Sequence, residues 1–469
     1  MPSKDDISLI AHLMRRAGFG QRRDEIERLA SDGYENTVER LLDPESQPDV
    51  DMYMMGRYHP WTDHPSSIDH HQSRWIYRMV MGKRPLEEKI VLFWHHVFAT
   101  GNAKVENIDE MATEIDLFRD HGMGNFQTLL ERLAKNPAMI RWLDNNENHK
   151  RANNENWGRE LLELFSLGVG YYTEDDVKQA ARAFTGWTYT PRKVVMPWKK
   201  YPWSFDYQPY DHDSGEKSFL GHEGRFNGDD VVEVVARQPA TARFISRHLY
   251  NFFVADEPQV PAWPFEPPQD RTAIDTLSEA FVRGGYEMKP VLRTLFNSDF
   301  FKNALYKRVK SPAEVVASAL ILTGDMNGPD PRWGDLPSVQ SLMGQIIYDP
   351  PSVEGWHTGK EWINSGAMMN RVNFVADRVS DTDLPGVKAI IQKISEMNGS
   401  SMNPEQLVQH CLDQMGPMEI SDETRQELLK QVEIDGIASW STEKEYKASS
   451  KRVADLLALI AGTREYQFA

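Results

Sequence analysis

Residues 143–170 read LDNNENHKRANNENWGRELLELFSLGVG. Two kinds of chemistry meet in this stretch, and the junction between them sets the reading of the chain. Up to Asn154 the side chains are mostly short amides and carboxylates, which hydrogen-bond their own backbone and favour turns. Beyond it, Trp157, Leu161, Leu164 and Phe165 recur at three- and four-residue spacing, as a helix with one buried face requires. Asn154 is the expected N-cap of a helix to Leu167, with Gly168 and Gly170 as stop signals. A loop so rich in amides is costly to order unless something holds it, so it is also the first place to look for a site.

The helical period continues in both directions. Upstream it predicts helices over Ser8–Ala17, Asp24–Leu42, His70–Met81, Leu86–Ala99, Ile108–Arg119 and Phe126–Asn136, the last stopped before Pro137. Downstream, Thr173 with Asp176 reads as a capping box opening Glu174–Thr185. Further helices are expected over Asp229–Arg237, Ala240–Val254, Arg271–Gly284, Met288–Ser298, Ser311–Thr323 and Arg452–Ala461. From Gly186 to Asn227 Trp, Tyr, Pro and Gly dominate, and the few alternating residues allow at most a short β-hairpin. The Pro-rich run Asp256–Asp270 is expected to be extended. The predicted class is mainly α: a large multi-helix domain over residues 1–370 with a long irregular Trp/Tyr/Pro-rich insert. An acidic helical region over 371–469 packs on it.

Composition narrows the function. A net charge of −17 over 469 residues argues against nucleic acid, whose phosphates need a basic surface. One cysteine, Cys411, rules out an intramolecular disulfide framework and any cysteine-cluster metal site. No run of about 18 apolar residues occurs, so no membrane-spanning helix is expected. The N-terminus lacks an apolar signal-peptide core. The chain as written reads as cytoplasmic, or as exported if a leader was removed. Nucleophile elbows, H-E-x-x-H, Walker and G-x-G-x-x-G motifs are all missing, which excludes the standard serine hydrolases, zincins, P-loop enzymes and Rossmann dehydrogenases.

Seven phrases resemble one large bacterial family, the domain of unknown function family 1800. They are HLMRRAGFG (His12–Gly20), LFWHHVFATG (Leu92–Gly101), NENWGRELLELFSLGVG (Asn154–Gly170), YTEDDVKQAARAFTGW (Tyr172–Trp187), HDSGEKSFLG (His212–Gly221), TARFISRHLYNFF (Thr241–Phe253) and MGQIIYDPPSVEGW (Met343–Trp356). The last hundred residues resemble it only loosely. The resemblance implies a helical domain of unestablished biochemistry, often exported and often encoded beside a second uncharacterised family, which suggests a partner protein. The chain departs from the family pattern at Val97, where a second histidine is common, and at Trp157, where Tyr or Phe is frequent.

Four groups of residues are candidates for chemistry. Asp144, Asn146, Asn148 and Glu155 hold the first, third, fifth and twelfth places of a twelve-residue frame, the spacing with which EF-hand loops wrap calcium. His149 stands where that frame uses glycine, and a loop that caps its own turns is the alternative. On the following helix Glu160 sits at the edge of the buried stripe and should have a raised pKa, while Arg159 and Glu163 should pair on the surface. His95 lies in a helix apolar nearly all round, where a buried imidazole needs partners for both nitrogens; His96 reads as a bystander. His212 and Asp213 put imidazole beside carboxylate in the insert, as a general base or cation site does. His59, Asp63, His64, Asp69, His70 and His71 are a weaker transition-metal cluster. Met14-Arg15-Arg16 and Arg243 to Arg247 read as surface basic patches.

The leading expectation is a metal-dependent enzyme, oxidoreductase or hydrolase. His95, Glu160, His212 and Asp213 would serve a divalent Fe, Mn or Zn ion, and calcium would order the 144–155 loop. The alternative is a non-catalytic binding or assembly protein, gripping a small molecule, glycan, peptide or partner with Trp187, Trp198, Trp203, Tyr207 and Tyr210.

Overall fold

The computed structural model describes residues 2–58, 67–191, 203–397, 401–434 and 436–469. His59, Asp63, His64 and Trp198 therefore lie outside the described residues. The described residues are mainly α-helical, with only three small two-stranded sheets. Among the described residues no helix is long and apolar enough to cross a membrane.

At the centre lies the helix Pro85–Val97, in which every residue from Leu86 to Val97 is buried. Its apolar residues account for most of that, and two of its charged positions, Glu88 and Lys89, are answered by partners brought from elsewhere in the chain. Glu88 accepts from Arg78 at 2.8 Å, from Arg119 at 2.9 Å and from the Trp75 indole at 2.9 Å. Lys89 donates to Glu314 on the helix Pro312–Thr323, which is likewise apolar nearly all round. Such helices can only be interior ones, and the amphipathic helices wrap them.

Several boundaries move for local reasons. The helix expected over Asp24–Leu42 breaks into Arg23–Asp32 and Tyr34–Leu42 at Gly33, whose φ of 97° an L side chain seldom adopts. Pro137 ends one helix and also begins another, Pro137–Trp142. Asn136 caps it by accepting from the amides of Ala138 and Met139, and the proline takes a first-turn position where no N–H is needed. The capping box of Thr173 and Asp176 forms as expected.

The insert holds two hairpins where at most one was expected. Trp187–Pro191 pairs antiparallel with Trp203–Tyr207, and Lys217–Phe219 with His222–Gly224. The Pro-rich run is a 3-10 turn over Val260–Ala262 with further turns, not an extended strand, because Trp263 folds back onto the helix Pro239–Phe253. Buried residues from both sides of position 370 share one continuous core, from Ile7 to Tyr466. Fully buried Arg371 adds a polar tie between them, donating to the Lys310 carbonyl at 2.8 Å and to Gln467 Oε1 at 3.0 Å.

Candidate functional site

The amide-rich loop orders itself through direct hydrogen bonds. Buried Asn148 donates to the Ala181 carbonyl at 2.8 Å and to Asn145 Oδ1 at 3.2 Å, and its side-chain Oδ1 accepts from the Asn154 backbone amide at 3.0 Å. Asn145 donates to the Trp187 carbonyl, tying the loop to the first hairpin. The four calcium-frame residues each face a different partner. Asp144 holds Lys104 at 2.7 Å, Asn146 donates to Glu147 at 2.8 Å, and Glu155 meets Arg159 at 3.3 Å. Two of the oxygen ligands are thus spent on cations of the chain, so the frame does not fit a calcium ion.

The helix behind the loop spans Asn156–Glu163, beginning two residues after Asn154 and ending four before Leu167. Asn154 accepts from the Asn156 amide at 2.9 Å in a turn instead of capping the helix. Glu160 is half-buried; burial, the Glu163 charge and Glu354 push its carboxyl up to about 7, against the pull of Arg159. The surface pair expected between Arg159 and Glu163 is absent. Arg159 turns to Glu174 at 2.7 Å, while Glu163 accepts from the Tyr172 hydroxyl at 2.9 Å.

His95 is completely buried among Trp75, Tyr348 and Trp356. Its Nε2 accepts the Tyr348 amide at 2.9 Å, and burial pushes its pKa down to about 3. A neutral imidazole that accepts at Nε2 carries its hydrogen on Nδ1, and that N–H finds no acceptor. No lone pair is left for a metal. His95 and Glu160 both border the 348–356 segment, the first through Tyr348 and Trp356, the second through Glu354. His212 and Asp213 attach elsewhere: His212 Nδ1 donates to the Thr185 carbonyl at 3.0 Å and Asp213 accepts from Arg182 at 2.7 Å. That guanidinium holds the Asp213 carboxyl below its usual range. Among the described residues no three His, Cys, Asp or Glu side chains are placed to hold a metal ion. Of the histidine cluster, buried His71 lies 3.9 Å from Asp109.

The structure instead opens a groove of about 570 Å³ between the turn Leu164–Tyr171, the helix Pro239–Phe253 and the Pro-rich run leading into the helix Arg271–Arg283. Leu164, Leu167, Phe244 and Ile274 form its buried apolar wall. Gly168, at φ 80°, lets the turn lie on Phe244; a Cβ there would come within 2.9 Å of the ring. Glu163 and Glu354 stand on the wall beside Glu160. Arg243 and Arg271 also line the groove and share one carboxylate, Asp275, each at 3.7 Å. Buried Arg247 binds Glu257 at 2.7 Å and lies 4.5 Å from the Trp263 ring centre.

The family phrases sit on these elements: the helix of His95, the helix of Glu160, the 348–356 segment and the arginine-bearing helix. Residues 12–468 match the family described as Protein of unknown function (DUF1800). The chain belongs to that family. The match reaches well past residue 370, through the part in which the sequence phrases are loose. Nothing among curated proteins or solved structures matches the chain.

In this DUF1800 member the groove's arginines escape a motif search because they look like ordinary helix-surface charges. Arg247 is in fact buried, and Arg16, also read as a surface patch, is fully buried with its Nη1 3.6 Å from Glu314. One signal was available: Trp263 lies in the run WPFEPP, whose prolines prevent a helix and force an irregular wall.

Proposed function

We propose that the protein binds an elongated organic ligand with a cationic and an anionic end, the chemistry of a short peptide with free termini, in the 164–275 groove. The observation that supports this is one cavity of about 570 Å³ with an apolar wall, two carboxylates, Glu163 and Glu354, and two incompletely matched arginines, Arg243 and Arg271. That size and lining match organic-ligand sites. An ammonium suits the carboxylates, and a guanidinium fork suits a carboxylate. A sugar is a poorer fit, because Trp263 is packed against Arg247, His248 and Phe244 and offers little free ring face. Two aromatics of the insert are also engaged: Trp187 packs between Phe184 and Phe205, and Trp203 stacks on Tyr189 with ring centres 4.4 Å apart.

A second reading adds acid–base chemistry on the bound ligand. It is favoured by Glu160, whose pKa near 7 lets it give and take a proton at neutral pH. Isothermal titration with tetrapeptides of aliphatic centre, free at both ends or capped at both, tests the binding. Free peptides should bind about tenfold or more tightly than capped ones, and Glu163→Gln or Arg243→Gln should remove that preference. Equal binding of both forms, or none of either, refutes the proposal. Peptide turnover that is lost in Glu160→Gln supports the second reading.

A further inference from the structure

A second large cavity, about 400 Å³, lies on another face of the molecule, between the helices Lys4–Arg16, Arg23–Asp32 and Tyr34–Leu42 and the turn Gly82–Pro85. Met14, Leu29 and Leu41 form a buried apolar floor, and four cations, Arg28, Arg40, Lys83 and Arg84, line the cavity together with the Glu25 carboxylate and the amides of Gln21 and Gln47. The carboxylates nearby do not satisfy all four. Arg28 takes up Glu25, at 2.8 and 2.7 Å, and Asp32, at 2.8 Å. Arg84 donates to the Gln47 carbonyl at 2.9 Å and lies 3.6 Å from Glu87. Burial and the neighbouring Glu88 push that Glu87 carboxyl up to about 7, so it neutralises Arg84 only in part.

Arg40 and Lys83 are left over. Arg40 comes no closer to a carboxylate than 3.8 Å, to an Asp32 already bonded to Arg28. Among the described residues the Arg40 side chain makes no hydrogen bond, and the exposed Lys83 ammonium makes neither a hydrogen bond nor an ion pair. In a chain of net charge −17, a cavity with one unpaired cation, Lys83, and one that only shares a carboxylate, Arg40, is a local positive field that attracts anions. The guanidinium fork fits two oxygens of one oxyanion, and the ammonium adds a point charge.

We propose that this cavity binds a small organic oxyanion, a phosphate ester or a polycarboxylate, with Arg40 and Lys83 as its ligands and Met14, Leu29 and Leu41 against its carbon skeleton. The site is separate from the 164–275 groove and does not depend on it. Isothermal titration of the full chain with phenyl phosphate and with citrate, at matched ionic strength, tests it. At least one should saturate a single site, and the Arg40→Gln/Lys83→Gln double variant should bind about tenfold or more weakly. Phenyl phosphate alone assigns a phosphate ester, citrate alone a polycarboxylate, and both together an oxyanion site of broad selectivity. Should the double variant fail to fold by circular dichroism, Lys83→Gln alone takes its place and should weaken binding about threefold. No saturable binding of either probe, or full affinity in the folded variant, overturns the proposal.

Discussion

Glu114 makes stability depend on pH in a way that can be worked through. It lies on the helix Ile108–His121, is 0% exposed, and neither of its carboxyl oxygens accepts a hydrogen bond. The Thr100 hydroxyl is close enough to ease the ionised form slightly, but its hydrogen goes to the Phe98 carbonyl at 3.3 Å. Burial therefore dominates and pushes the carboxyl from 4.5 up to about 8. A carboxyl raised on folding stabilises fully below its unfolded pKa, and that stability is lost as pH rises towards the folded value. From pH 5 to 8 the loss is about 4 kcal/mol, at about 1.4 kcal/mol per pH unit. At about 2.1 cal/mol/K per residue, unfolding 469 residues carries roughly 1 kcal/mol/K, so Tm should fall by about 4 °C from this group alone. Glu114→Gln keeps the shape and cannot titrate. Differential scanning calorimetry of both proteins at pH 5 and pH 8 isolates the effect, because every other group titrates alike in the two. The unaltered protein should lose about 4 °C more than the variant between the two pH values. Parallel Tm curves would show that Glu114 is not held neutral in the core.

Glu314 faces three buried cations, Lys89, Arg308 at 3.1 Å and Arg16 at 3.6 Å, so Glu314→Gln should cost about 3–5 kcal/mol, a Tm lower by roughly the same number of degrees. Those cations hold the Glu314 carboxyl well below its usual range, so the cost should be full above about pH 4.5 and shrink in more acid buffer; a Tm within a degree of the unaltered protein would refute the role. For the ion expectations, millimolar calcium should leave Tm where EDTA leaves it, while Asn148→Ala lowers it by about 1–3 kcal/mol worth in either buffer. Elemental analysis of the same preparation should find no stoichiometric transition metal; finding one that His95→Ala removes would restore a metal centre at that histidine.

Much of the fold is readable from local pattern. The stripe Trp157, Leu161, Leu164 and Phe165 is buried, the Thr173–Asp176 box caps its helix, and Glu160 is half-buried with a raised pKa. Failures occurred where one residue does two jobs or where partners are far apart in sequence. Pro137 both ends and starts a helix. Arg159 has Glu155, Glu163 and Glu174 within reach, and only the packing of two helices selects Glu155 and Glu174. Of the groove only the irregular wall at Trp263 was legible, since its walls come from residues about a hundred positions apart.

The sequence by itself determined the class, because hydrophobic period and capping act within a few residues and need no tertiary context. It also marked two polar groups, Glu160 and His95, that would be buried against their preference, though not Arg16 or Arg247. Only the tertiary structure decided what satisfies them. Asn148 finds Ala181, His95 finds the Tyr348 amide and Asp213 finds Arg182, and each pairing uses up a lone pair or charge that the sequence alone leaves free for an ion. Buried polar groups take whichever partner the packed helices bring within hydrogen-bond distance, and that distance is fixed by the whole chain.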